Sequence, residues 1–158
     1  MGLWFDHSES LQRVITPDGL EATCSNLIGE IERSKVDFNT IAFTGFSGAM
    51  VVPMLCVMLN KYPFVVRKAD EHAHSYLKVE GPTGADINYI IVDDLMSTGT
   101  TVHYVLETIA AKRSEAKCVG LFLYNQKDYG LKNFSFPTFY WTGNTWRHKA
   151  GCPVTVIP

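Results

Sequence analysis

The chain has no excess of positive charge, no closely paired cysteines and no apolar run long enough to cross a bilayer. Each absence removes a class of function. Fourteen lysines and arginines stand against sixteen aspartates and glutamates, for a net charge of −2. Nucleic acid is therefore not an expected partner, since nonspecific binding to it needs a basic face. The four cysteines, Cys24, Cys56, Cys118 and Cys152, are widely separated and form no Cys-x-x-Cys pair. That spacing predicts reduced, mostly buried thiols in a cytosolic protein, with neither a zinc site nor a disulfide framework. The most apolar segment, Ala49 to Leu59, is too short for a span and is interrupted by Pro53, so no membrane partner is expected. Acidic Asp6 and Glu9 near the start argue against a signal peptide. No repeat or low-complexity tract appears. What remains is 158 residues, 46% hydrophobic and 19% charged, a composition that predicts one soluble domain over 1–158 with a sizeable core.

The most informative stretch is Tyr89-Ile-Ile-Val-Asp-Asp-Leu-Met-Ser-Thr-Gly-Thr-Thr101. An apolar run reads as a buried strand that ends in two carboxylates, Asp93 and Asp94. A hydroxyl- and glycine-rich turn follows, and then an apolar-periodic helix from Val102. Such a strand–loop–helix gathers backbone N–H groups at the positive end of a helix dipole, where a phosphate monoester binds well. Ser97, Thr98, Thr100 and Thr101 add hydroxyl donors, and Gly99 lets the backbone close around an anion. Two carboxylates at the strand end can accept hydrogen bonds from a vicinal diol. Phosphate cradle and diol acceptors together point to a ribose 5-phosphate.

The rest of the chain alternates strands and helices. Leu20, Cys24, Leu27, Ile28 and Ile31 mark a helix over 17–34 with a Thr16-Pro17 start. A strand over 39–44 is broken by Gly45-Phe46-Ser47-Gly48, and a buried helix follows over 49–60, where Pro53 is tolerable only in the first turn. Strands are predicted at 63–67, 88–93 and 117–124, a helix at 100–112, and an unstructured polar connection at 68–86. The pattern predicts an α/β fold with a doubly wound, mainly parallel sheet. The aromatic tail, 125–158, is predicted to be an accessory layer or hood. Thr44–Gly48, Arg67-Lys68 and Asp93-Asp94 all fall at carboxyl ends of predicted strands, the edge where open α/β sheets bind ligands.

Val92-Asp-Asp-Leu-Met-Ser-Thr-Gly-Thr-Thr101 resembles the signature of the type I phosphoribosyltransferases: apolar residues, two acidic residues, then a Thr/Gly-rich loop. Thr100 stands where many members carry a second glycine. The resemblance implies that Asp93 and Asp94 bind the ribose hydroxyls of phosphoribosyl pyrophosphate (PRPP). It places the 5-phosphate on the loop formed by Met96, Ser97, Thr98, Gly99, Thr100 and Thr101. By position, Phe46, Ser47 and Gly48 look like the family's pyrophosphate loop, with Phe46–Ser47 the candidate for a non-proline cis peptide. Many members carry a cation where Ser47 stands. Phe64-Val-Val-Arg-Lys-Ala-Asp-Glu-His-Ala-His74 resembles the strand end and mobile loop of orotate phosphoribosyltransferases. This implies that Arg67, Lys68 and one of His72 and His74 contact pyrophosphate, and that 68–86 closes as a lid. The two histidines lack a third ligand, so no protein-bound metal site is expected.

The implied reaction is displacement of pyrophosphate from PRPP by a nitrogen of a nucleobase, giving a nucleoside monophosphate. Mg²⁺ is the implied cofactor, bound largely by substrate oxygens, and a homodimer the implied assembly. Ser97 stands where the hypoxanthine–guanine branch has an acidic residue, which disfavours a 6-oxopurine of that type. Leu95-Met-Ser-Thr-Gly is close to the adenine branch, while Gly99-Thr-Thr and Arg67-Lys68 lean toward orotate. Tyr124, directly after a strand, is expected beside the base, with Phe139-Tyr140-Trp141 as a hood. The alternative function is a non-catalytic PRPP- or nucleotide-binding regulator on the same fold.

Overall fold

The computed structural model describes residues 2–71 and 75–153. A short 3₁₀ turn, Glu9–Leu11, precedes α1 (Pro17–Ser34), β1 (Thr40–Phe43), α2 (Gly45–Leu59), β2 (Tyr62–Val66), β3 (Val79–Glu80), β4 (Asn88–Asp93), α3 (Thr100–Lys112), β5 (Lys117–Leu123), β6 (Thr138–Trp141) and β7 (Trp146–Lys149). The seven strands form one sheet in the order β3-β2-β1-β4-β5-β6-β7. β2, β1, β4, β5 and β6 run parallel, and β3 and β7 add antiparallel edges. The predicted doubly wound α/β fold is the one observed.

Alternation along each strand divides the core. Ile41, Phe43, Ile90, Val92, Phe122 and Tyr124 pack with α1 and α2, whereas Ala42, Tyr89, Ile91, Leu121 and Leu123 face the α3 side. α1 starts as its residues dictate, with the Thr16 hydroxyl accepting the Gly19 N–H at 3.1 Å and Pro17 in the first turn. β1 is the switch point. The chain leaves it through α2 to β2 on one side and returns to β4 on the other, so a crevice opens at the carboxyl ends of β1 and β4.

Five expectations are corrected. α2 begins at Gly45 rather than after Gly48, so Phe46, Ser47 and Gly48 form its first turn. Gly48 is not a breaker: a Cβ there would lie 2.6 Å from the Phe43 Cβ, and glycine is what lets helix and strand approach. Pro53 sits inside the helix, not in its first turn. It is exposed, as is Ala49, so the carbonyl that loses its N–H donor is solvated. All described peptides are trans, including Phe46–Ser47, because a helical turn holds that bond in regular geometry. The tail adds β6 and β7 to the sheet instead of folding over the site as a hood. β7 is pinned to α1 by the Trp146 indole N–H donating to Asn26 Oδ1 at 3.0 Å. The connection 68–86 also carries structure, the short β3 paired with β2.

Candidate functional site

A cavity of about 350 Å³ lies over the crevice, walled by the β1–α2 junction, Lys68 and the loop from Asp93 to Val102. Ser8, Ser10 and Leu11 close its outer side, so the covering segment is N-terminal. Of the predicted residues, Phe46, Ser47, Lys68, Asp93, Asp94, Met96, Ser97, Thr98, Gly99, Thr100 and Thr101 line this cavity.

The two carboxylates are held by backbone as well as by position. Asn125 N–H donates to the Asp94 carbonyl at 2.8 Å and Tyr124 N–H to the Asp93 carbonyl at 3.1 Å, extending the β4–β5 pairing beyond both strands. Both aspartates are buried. Asp93 Oδ1 accepts the Ser47 hydroxyl and the Asp94 N–H, each at 2.9 Å. Burial, and next the neighbouring Asp94, push the Asp93 carboxyl up from 3.8 to about 7. The hydrogen bond from Ser47 joins α2 to β4 across the switch point.

The phosphate loop is built from the αL turn at Gly99, φ 82°, which caps α3. The Thr98 hydroxyl lies 2.8 Å from that of Thr100 and accepts the Thr100 N–H at 3.3 Å. The unpaired N–H groups of a first helical turn point out along the axis toward the cavity. Lys68 supplies positive charge on the cavity wall. At Gly45, φ 72°, a Cβ would lie only 3.3 Å from Lys68 Nζ, so glycine is what lets this lysine lie against the backbone. Lys132 Cγ lies 3.1 Å from the corresponding place at Gly99. Thr44 also lines the cavity, and its buried hydroxyl has no hydrogen-bond partner among the described residues.

Three predicted residues are used differently. The Arg67 guanidinium donates to Glu80 at 2.7 and 3.0 Å and to Glu71 at 3.0 Å, and its carbonyl accepts the Tyr104 hydroxyl at 2.6 Å. Arg67 fastens β3 to β2 and does not line the cavity. Tyr124 is fully buried, and its hydroxyl donates to the Ser47 carbonyl at 2.8 Å, so its ring supports the α2 turn from below instead of stacking on a ligand. Met96 lines the cavity but is itself buried. His72 and His74 lie outside the described residues. Phe139 and Tyr140 belong to the core.

Gln126 is the supporting residue that no sequence pattern singles out, whereas Thr44 belongs to the Thr44–Gly48 cluster already placed at the strand end. Gln126 is 3% exposed and clamps the loop: its Oε1 accepts the Met96 N–H at 2.6 Å, and its Nε2 donates to the Lys127 and Tyr129 carbonyls at 3.1 and 2.9 Å. A second cavity of about 350 Å³ shares the Leu95–Ser97 wall and is completed by Glu9 and the loop from Asn125 to Gly130. Among the described residues no cluster of three or more His, Cys, Asp or Glu could hold a metal, and no helix is long and apolar enough to cross a membrane.

No protein-family model matches the chain. It is similar to the orotate phosphoribosyltransferase of Thermococcus gammatolerans, with 24% identity over 111 residues that cover 68% of this chain and 59% of that protein. The chain thus spans less than two thirds of that relative's length. Among solved structures it is similar to adenine phosphoribosyltransferase from Saccharomyces cerevisiae complexed with an iminoaltritol bisphosphate and adenine. The TM-score is 0.63 and the identity 21%, over 79% of each chain. UMP synthase of Leishmania donovani matches with a TM-score of 0.62 and 17% identity, over 75% of this chain and 25% of that one. The chain has the fold of the type I phosphoribosyltransferases.

Proposed function

We propose that this protein is a type I phosphoribosyltransferase that transfers the phosphoribosyl group of PRPP to a nucleobase nitrogen and releases pyrophosphate. One observation carries the reading. A buried pair of carboxylates and the N-terminus of α3 share a single cavity, with Lys68 on its opposite wall. Acceptors for a diol, donors for a phosphate and a cation for a second anionic group thus face one ligand-sized space.

In this reading the first turn of α3 and the Thr98, Thr100 and Thr101 hydroxyls hold the 5-phosphate, and Asp93 and Asp94 accept the ribose hydroxyls. Lys68, with the first-turn N–H groups of α2, binds pyrophosphate. The bond from C1 to the pyrophosphate oxygen breaks, and one from C1 to the base nitrogen forms. The electron pair leaves with pyrophosphate, and the nitrogen's proton passes to water or to a neighbouring base. The second cavity adjoins the ribose residues through Leu95–Ser97 and is the place for the acceptor base. Tyr129, which lines it, is 70% exposed and free to stack there.

Hard carboxylate oxygens from only two residues fit Mg²⁺, a cation that keeps water and phosphate oxygens as most of its ligands. Asp93 and Asp94 would hold it, and its charge would offset that of the departing pyrophosphate.

The test is a panel of purine and pyrimidine bases incubated with PRPP and Mg²⁺, read as released pyrophosphate, with PRPP binding measured by calorimetry. Base-dependent release is expected. Tight PRPP binding with no release for any base would support a regulator on the same fold, and absence of PRPP binding would refute both.

A further inference from the structure

The 3₁₀ turn Glu9–Leu11 sits astride the two cavities. With about three residues per turn, positions 8 and 11 share one side of it and position 9 faces another. Ser8, Ser10 and Leu11 accordingly line the first cavity, whereas Glu9 lines the second. Glu9 is exposed, and among the described residues its carboxylate enters no ion pair. The turn thus delivers an uncommitted carboxylate to the wall of a ligand-sized space.

The other polar side chains around that space have less freedom. The Gln126 amide is spent on the Met96 N–H and on the Lys127 and Tyr129 carbonyls. Asn125 Oδ1 accepts the Arg13 guanidinium at 2.8 Å, which leaves only its amide N–H groups for a ligand. Lys127 is a donor as well. Among the described residues Glu9 is therefore the one carboxylate on this wall, set among donors. Leu95, 38% exposed, and Tyr129 add apolar surface for the faces of a flat ring.

We propose that Glu9 selects an uncharged base with an exocyclic amino group, which donates to the Glu9 carboxylate. The inference rests on the reading that a nucleobase occupies this cavity. An oxo group in the same place would turn its lone pairs toward an anion, and neither group would find a partner. A ring carboxylate could pair with Lys127 but would bring a second negative charge into the space that Glu9 lines. Lys127 and the Asn125 amide complement the ring nitrogens and carbonyl oxygens that an amino-bearing base also carries. Glu9 touches the base and not the reacting atoms, so its part is choice of substrate.

Calorimetry on the full chain with matched ligands tests this without turnover. Adenosine and inosine monophosphates exchange an amino for an oxo group, as do cytidine and uridine monophosphates. Orotidine monophosphate adds a carboxylate, and ribose 5-phosphate has no base. The wild type should bind the amino member of at least one pair about tenfold tighter than its oxo counterpart, and orotidine monophosphate more weakly than uridine monophosphate. In Glu9→Gln the amide can turn either its oxygen or its N–H groups to the base. That variant should therefore bring the pair within about threefold and remove the penalty on the carboxylate. Tyr129→Ala should weaken all the monophosphates alike, because stacking does not read the amino group. Ribose 5-phosphate should bind all three proteins equally. Equal affinities within both pairs, tighter binding of the oxo members, or an unchanged ratio in Glu9→Gln would overturn the selection and leave the proposed function standing. A wild type that does not bind ribose 5-phosphate would overturn the proposed function, and this inference with it.

Discussion

Asp93 is a carboxyl whose surroundings oppose its charge until a ligand arrives. Burial and the adjacent Asp94 hold its proton up to about pH 7, against an ordinary value of 3.8. Between those values the folded state binds more protons than the unfolded one. The stabilisation is therefore fully present below 3.8 and is lost as pH rises toward 7. Asp93→Asn removes this titration. Its melting temperature should fall less than that of the wild type between about pH 4 and 7 and should equal or exceed it above pH 7. Parallel slopes for the two proteins would show that Asp93 titrates normally. In the proposed reading PRPP binding has the opposite trend. The ribose hydroxyls need a charged acceptor, so wild-type affinity should rise as pH passes 7. Replacing both aspartates by asparagine should weaken PRPP binding by about 1.5–3 kcal/mol per lost charge-assisted bond. Calorimetry on the folded double variant checks this.

Among the elements, β4, α3 and the loop between them were legible in the sequence. A run of apolar residues, a pair of carboxylates, a glycine and a helical period succeed one another without overlap. α2 was legible only from its middle. Gly45 and Gly48 look like breakers, but one takes a φ of 72° as the first residue of α2 and the other lets Phe43 approach, a distinction no local pattern carries. The side of Tyr124 could have been read by parity. Phe122 and Tyr124 alternate with Leu121 and Leu123, so if one aromatic packs under α1 and α2 both do. Gln126 has no motif at all, because its role depends on three backbone groups brought to it by a loop. Gln126→Leu preserves much of the volume but leaves the Met96 N–H and two carbonyls without their partner. Amide exchange at Leu95–Ser97 should accelerate about tenfold or more while α3 and β5 stay protected. In the proposed function PRPP affinity falls with it, and unchanged exchange would show that the loop holds its shape without the clamp.

At the scale of the whole molecule, the sheet order determines which of two adjacent cations serves the site. Arg67 and Lys68 are equivalent in the sequence, both just past the end of β2. In the folded chain the antiparallel pairing of Val65 with Glu80 brings a carboxylate against the Arg67 guanidinium, and Glu71 takes its other side. Hydrogen bonding to Glu80 is the main cause that raises the arginine's already high pKa, and a pair so well screened by solvent contributes little energy. Its consequence is geometric, since it leaves Lys68 to lie against Gly45 on the cavity wall. A two-residue strand such as β3 has no sequence signature, so this division of labour could not be read in advance. Arg67→Ala should loosen β3, lowering the melting temperature by a few degrees with PRPP affinity within about twofold of wild type. Lys68→Ala should leave melting unchanged and weaken PRPP about tenfold or more while sparing nucleoside monophosphate, because the partner proposed for Lys68 is pyrophosphate. Melting and calorimetry on both variants separate the roles. A loss of PRPP affinity for Arg67→Ala as large as that for Lys68→Ala would mean that Arg67 leaves Glu80 and Glu71 when the ligand binds, and that its ion pairs belong to the unliganded protein alone.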